Sequence, residues 1–255
     1  MSGPRGPGER GASSAALLPR FLGHRGARGS APENTLVSLR RAAELGAPWV
    51  EFDVKLTADG RAILMHDETL ERTTSGSGPV AAASWERIRQ LDAGAWFGPA
   101  FTGERVPDLE QAIALLAGLG LGANVEIKPC PGREAETGAA VAREVARLWP
   151  ASLPPAVLSS FSEDSLAAAR DAAPEVLRGL LVTDIPPDWP ERLSRLACVS
   201  LHAGERQLLR PAVEAVKRRG VPMLAYTVNT RERAQALWSW GVDCVATDWP
   251  ERLTG

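Results

Sequence analysis

From Phe21 onward the chain alternates between two kinds of segment. Short apolar runs that stop at polar residues are followed by longer stretches with apolar positions at helical spacing. The runs read as strands cover residues 21–22, 49–54, 62–65, 123–127, 156–160, 176–182, 197–201, 222–227 and 243–246. The stretches between them predict helices over 35–45, 84–91, 108–119, 134–148, 163–172, 190–195, 210–219 and 231–240. Punctuation supports the reading. Asn34 is a candidate N-cap and Gly46 a candidate C′ residue for the first helix. Pro150 and Pro174 stop two others, and Asp59-Gly60 marks a turn.

Strands alternating with helices predict an α/β chain with a parallel sheet. The 255 residues suit one (β/α)8 barrel, which takes about 250. Nine strand candidates compete for eight places. The 57–60 turn is too short for a crossover helix, so one candidate lies outside the barrel or on an edge. The rhythm breaks over 67–107, expected to be a small rim insertion after the third strand, too short and too polar at its ends for its own core. Residues 1–19 are expected to be a disordered arm, and 20–255 a single domain.

Composition excludes more than it adds. A formal net charge of -2 gives no reason to expect nucleic acid or an anionic membrane as partner. No apolar stretch is long enough to span a bilayer or to serve as a signal peptide core, so no stable membrane association is expected. Three widely spaced cysteines fit no disulfide framework or zinc pattern and suit a reducing, cytoplasmic setting. Trp238, Trp240 and Trp249 are either dimer contacts or helix packing, which leaves the oligomeric state open.

Chemistry gathers at the ends of four apolar runs: His24-Arg25-Gly26, Glu51-Phe52-Asp53, His66-Asp67 and Glu126-Ile127-Lys128. Parallel barrel strands all finish on one face, so these groups are expected to meet there. Residues two apart on a strand share a face, which pairs Glu51 with Asp53 and Glu126 with Lys128. Each pair alone reads equally as a solvated edge or an ion pair. Together, pointing into a barrel mouth, they need countercharges or a cation. Three oxygen donors without cysteine suit Mg2+ or Ca2+. Two of the chain's three histidines, His24 and His66, are placed for proton transfer. Arg25 can fork onto a phosphate, and Lys128 adds a point charge. The third, His202, is either a pocket residue or a plain loop residue after its strand.

These groups, taken in order, resemble the glycerophosphodiester phosphodiesterase family, in its cytoplasmic bacterial branch. The resemblance runs from about residue 21 to 251 and includes Pro32-Glu33-Asn34-Thr35, Leu56-Thr57-Ala58-Asp59-Gly60, Leu70-Glu71-Arg72-Thr73-Thr74, Pro107-Asp108-Leu109-Glu110, Ser160-Phe161, Tyr226-Thr227-Val228-Asn229 and Thr247-Asp248-Trp249-Pro250. It implies a TIM barrel that hydrolyses a small glycerophosphodiester to sn-glycerol 3-phosphate and an alcohol. It implies a divalent cation on Glu51, Asp53 and Glu126, acid/base roles for His24 and His66, and phosphate binding by Arg25 and Lys128. It further implies that the substrate's own glycerol hydroxyl attacks phosphorus, that water opens the resulting cyclic phosphate, and that the 67–107 insertion shapes the glycerol side. Tyr226 stands where the family commonly has tryptophan. Phe161 and Trp249 are candidate pocket walls or core residues. Glu33 and Asn34 are candidates to support the reacting groups, unless Asn34 only caps its helix.

Two other enzymes share these expectations. A lysophospholipase D would use the same residues and need an apolar groove, for which Trp96, Phe97 and Phe101 leave room. A Mg2+-dependent barrel lyase would need the fold and the metal but less of the arginine and paired histidines.

Overall fold

The computed structural model describes residues 17–254. Nine strands occur among them: β1 (Phe21–Gly23), β2 (Trp49–Leu56), β3 (Ala62–Leu64), β4 (Gly122–Ile127), β5 (Val157–Ser160), β6 (Leu177–Val182), β7 (Ser200–Gly204), β8 (Met223–Tyr226) and β9 (Cys244–Thr247). The helices are α1 (Leu36–Glu44), α2 (Trp85–Ile88), α3 (Leu109–Leu119), α4 (Glu134–Leu148), α5 (Glu163–Ala172), α6 (Trp189–Leu196), α7 (Arg210–Lys217) and α8 (Arg231–Trp240). Eight strands are parallel and close into a barrel where β1 pairs with both β9 and β2. This is the expected (β/α)8 architecture.

The ninth strand is β3. It turns back antiparallel on β2, with Val54 opposite Leu64 and Leu56 opposite Ala62. The Asp59-Gly60 turn makes this possible: Gly60 has φ 80°, and the Thr57 amide donates to the Arg61 carbonyl at 3.0 Å. The hairpin carries the chain from the rim back toward the barrel, and the Met65 amide donates to the Asp53 carbonyl at 3.0 Å. His66 therefore reaches the mouth on a returning antiparallel strand. The expectation that all four groups sit at the ends of parallel strands fails for this one.

Period-2 alternation sorts β2 and β4 into two faces. Val50, Phe52 and Val54, with Ala123, Val125 and Ile127, join the apolar layer under the helices. Phe52 is fully buried there, and its truncation to alanine is expected to cost about 3–5 kcal/mol. Glu51, Asp53 and Lys55 on β2 take the opposite face, as do Asn124 and Glu126 on β4. Leu18, Leu22, Trp49, Val157, Leu224 and Cys244 form an apolar floor inside the barrel. Polar chemistry is thereby confined to the upper interior.

Three local expectations need correction. The N-cap of α1 is Thr35, whose Oγ1 accepts from the Ser38 amide; Asn34 has φ 57° and turns its side chain elsewhere. The seventh strand starts at Ser200 instead of Ala197, because Ala197 is the left-handed C-cap of α6 (φ 49°) and Cys198 still bonds back to Leu193. His202 is thus a mid-strand interior residue, not a strand-end one. The apolar residues of the 67–107 insertion join a cluster that they share with the barrel. Leu70, Val80, Ala83, Ile88, Ala93 and Val106 pack with Ile63 and Met65 of the hairpin and with Cys130. Its polar ends hid that spacing, and the hairpin supplies the missing apolar face. Of the arm expected over 1–19, residues 1–16 lie outside the described residues, whereas Leu18 is buried in the barrel floor.

Candidate active site

Glu51, Asp53 and Glu126 come together at the upper end of the barrel interior. One carboxylate oxygen from each lies within 4.8 Å of the others. Adjacent parallel strands make this meeting, since Asp53 on β2 is in register with Glu126 on β4. All three are at least nine-tenths shielded from solvent.

Their countercharges are close. The Arg25 Nε lies 3.2 Å from Asp53 Oδ2, and Lys128 Nζ lies 2.8 Å from Glu126 Oε1 and 3.7 Å from Asp53 Oδ1. Two cations against three buried carboxylates leave an excess negative charge. Its effect is visible in the acidities. Burial and the neighbouring Asp53 push the Glu126 pKa up to about 7, and burial with Asp53 and Glu126 raises Glu51 well above its ordinary value. Burial opposes ionisation of Asp53 too, but the Arg25 and Lys128 charges outweigh it and hold its pKa at about 2. Glu51 Oε1 is also buried without a hydrogen-bond partner. An all-oxygen cluster with surplus negative charge and an unpartnered oxygen fits a hard divalent cation.

The backbone after β1 is shaped around this cluster. Arg25 has φ 49°, which aims its amide at Glu51 Oε2, 2.8 Å away. Asn34 grips Asp53 twice: its Nδ2 donates to Oδ2 at 2.9 Å, and its Oδ1 accepts from the Asp53 amide at 3.1 Å. Two non-glycine residues in the left-handed region, both touching the acidic cluster, mark a strained and over-determined segment.

His24 and His66 are each fixed by a carboxylate. His24 Nδ1 and Asp248 Oδ1 are 2.7 Å apart, and His66 Nδ1 and Asp67 Oδ1 are 2.6 Å apart. Both rings thus leave Nε2 free of that bond; His24 Nε2 lies 3.8 Å from Glu51 Oε2. Burial lowers both histidine pKa values, with Arg25 adding to it, while Asp248 and Asp53 respectively work against it. Asp248 is in turn held by Asn229, whose Nδ2 donates to Oδ2 at 2.8 Å and whose Oδ1 accepts from the Asp248 amide at 2.9 Å.

An ion network joins the insertion to the barrel. Glu33, 4% exposed, accepts from Arg25 Nη1 at 2.7 Å and from Arg72 at 2.8 and 2.9 Å. Arg72 also donates to Asp67 at 2.9 Å through Nη2. Burial favours the neutral acid of Glu33, but hydrogen bonds from Arg72 and the Arg25 charge keep its pKa below the usual value. His66, Asp67, Arg72, Glu33, Arg25 and Asp53 form one continuous chain of contacts.

The mouth around the cluster has two lobes of about 550 and 560 Å3. Phe161, 45% exposed, lines both and meets Tyr226 edge-on at 6.0 Å between ring centres. His66, Thr69 and Lys128 border the first lobe; Arg28, Asp184, Tyr226 and Asp248 border the second. Tyr226 donates its hydroxyl to the Val182 carbonyl at 2.7 Å. Trp249 lines neither lobe; its ring packs against Gly29, where an added Cβ would stand 2.4 Å from it. Trp96, Phe97 and Phe101 stack edge-on upon one another and border neither lobe. His202 is fully buried below the cluster.

Sequence reasoning assigned no role to Asp248, Asn229 or Arg72. All three lie within the family-like segments quoted above, and Asp248 follows the last apolar run as the other site groups follow theirs. Lys55 was also passed over: it is 1% exposed, and its Nζ donates to the Lys128 carbonyl at 3.0 Å.

Barrel, acidic cluster and paired histidine–aspartate groups make a site suited to cation-assisted phosphoryl transfer. Residues 24–252 match the model of the glycerophosphoryl diester phosphodiesterase family. A glycerophosphodiester phosphodiesterase from Caldanaerobacter subterraneus is 36% identical over 237 residues, covering 91% of this chain and 95% of that one. Among solved structures, an Oleispira antarctica phosphodiesterase in complex with the product sn-glycerol-3-phosphate superposes with a TM-score of 0.90 at 40% identity, covering 93% of this chain and 96% of the other. The Agrobacterium tumefaciens glycerophosphodiester phosphodiesterase gives 0.79 at 31%, covering 92% and 99%. The chain belongs to the glycerophosphoryl diester phosphodiesterase family. No helix among the described residues is long and apolar enough to cross a membrane.

Proposed function

We propose that this chain hydrolyses small glycerophosphodiesters to sn-glycerol 3-phosphate and an alcohol, using Mg2+ or Ca2+ held by Glu51, Asp53 and Glu126. The observation that carries the reading is the acidic cluster flanked by two carboxylate-oriented imidazoles. The product bound to the Oleispira relative supports the choice of substrate. A cation there supplies charge stabilisation to the nonbridging phosphate oxygens and orients the attacking hydroxyl.

The protein's own residues do the rest. Arg25 and Lys128 place positive charge beside the phosphate. One imidazole Nε2 takes the proton of the substrate's glycerol hydroxyl as its oxygen bonds to phosphorus. The other gives a proton to the departing alcohol as the second phosphorus–oxygen bond breaks. Water then opens the cyclic phosphate with the two proton transfers reversed. The lobe beside the insertion takes glycerol, and the lobe beside Tyr226 takes the alcohol. The three free cysteines suit a reducing, cytoplasmic setting.

Lysophospholipids would need an apolar trough at the mouth, and the Trp96 cluster borders neither lobe. Release of glycerol 3-phosphate from glycerophosphocholine and glycerophosphoethanolamine, set beside release of choline from lysophosphatidylcholine (whose other product is lysophosphatidic acid), with chelator, Mg2+ or Ca2+, tests the whole reading. Cation-dependent release from the first two is expected. Faster turnover of the lysolipid, or full turnover in excess chelator, would overturn it.

A further inference from the structure

Against the acidic cluster itself, the barrel interior holds a space smaller than the two lobes of the mouth. A cavity of about 30 Å3 is bordered by His24, Glu51, Asn124, Glu126, His202 and Tyr226 on its polar side and by Leu181, Leu224 and Ala246 on its apolar side. Glu51 and Asn124 are register partners on β2 and β4, while His202 comes from β7. Each contributes a buried atom with no hydrogen-bond partner: Glu51 Oε1, Asn124 Oδ1 and His202 Nδ1. Groups this deep nearly always have partners, and leaving one unmet costs about 1–3 kcal/mol. Three orphans on one small cavity can share one partner, and Glu51 Oε1 keeps a second lone pair for a cation.

The chemistry of the three atoms says what the solution is. A carboxylate oxygen and an amide oxygen only accept. His202 Nε2 already meets Ser200 Oγ at 2.9 Å. Burial drives the His202 pKa down to about 3, so the ring is neutral and has one N–H to place. One water within reach of all three would satisfy them, donating to Glu51 Oε1 and to Asn124 Oδ1 and accepting from His202 Nδ1–H. The Ser200 hydroxyl then donates to Nε2. A buried water needs on the order of 10–15 Å3 and two to four polar partners, and this cavity offers both.

We propose that His202 is a positioning residue for the carboxylate of Glu51, acting through one water held in this cavity. Glu51 is then held at both oxygens, by the Arg25 amide on Oε2 and by the water on Oε1. Each oxygen has two lone pairs, so these bonds leave room for a cation. Only the consequence for the cation rests on the function proposed above; the bridge itself does not.

Two substitutions separate this role from plain packing. His202→Asn keeps an N–H at the δ position, and His202→Leu fills similar space without one. Calorimetric titration of the chelator-stripped chain with Mg2+ and with Ca2+ is the readout. Leu is expected to weaken cation binding by about 10–100-fold and Asn to stay within roughly three-fold of wild type. No loss with Leu, or equal losses with both, overturns the proposal. The imidazole 15N spectrum of wild-type His202 needs neither a variant nor a cation. A proton on Nδ1 is expected, and a proton on Nε2 overturns the bridge. A wild-type chain that binds neither cation defeats the metal reading alone, and the tautomer then decides the bridge.

Discussion

At the scale of single residues, His24 and His66 each lean on an aspartate. His24→Ala and His66→Ala are each expected to cut turnover by about 10²–10⁴-fold with the fold intact, since each removes a proton carrier. Steady-state kinetics beside circular dichroism checks this, and turnover within a few-fold of wild type refutes the assignment. Asp248→Asn is the more discriminating change. Asparagine keeps the shape, but it removes the charge that holds His24 Nδ1 at 2.7 Å. It is expected to lower kcat by roughly 10²-fold with little change in KM; an unchanged kcat removes Asp248 from the mechanism. The residues that the proposed function assigns to the reaction were legible in sequence because strand period and strand ends advertise them. Their partners were not. Asp248 lies 224 residues from His24 and Arg72 lies 39 from Glu33, distances at which no local pattern speaks. Asn34 was legible as a polar residue before a helix, yet its left-handed backbone turns it from capping to gripping Asp53.

Elements show where local pattern gives way to closure. All nine strands were legible, but which of them stood outside the barrel depended on β3 pairing antiparallel with β2, a choice made by a turn too short for any helix. The shift of the seventh strand has a similar origin, because α6 holds on to Ala197 and Cys198 through its C-cap. Helix packing carries its own test. Gly138 on α4 lets the helix approach α5 so closely that an added Cβ would stand 2.2 Å from the Ser165 carbonyl oxygen. Ser165 Oγ also donates to the Glu134 carbonyl at 2.9 Å, so the two helices have little freedom to part. Gly138→Ala is expected to destabilise the fold by about 1–3 kcal/mol, despite alanine's better helix propensity. Chemical denaturation measures this, and equal or greater stability would show that the helices separate freely.

On the scale of the whole molecule, the barrel closes around crowded negative charge. A cation that binds only the folded chain stabilises it by about 2.7 kcal/mol at a hundred times its dissociation constant. Scanning calorimetry is expected to show Tm rising with Mg2+ or Ca2+ and falling with chelator. Glu51→Ala is expected to lose both that response and nearly all turnover; a cation-insensitive wild-type Tm would count against the site. The barrel also divides the labour unevenly. His24 and the three carboxylates belong to the closed ring, whereas His66 hangs from the β3 hairpin and the apolar cluster around the insertion. Rising urea should therefore silence the enzyme before it melts the ring. The chain would pass through an inert form with native far-UV ellipticity and intact ion uptake, whose amide exchange is already fast around residues 62–107.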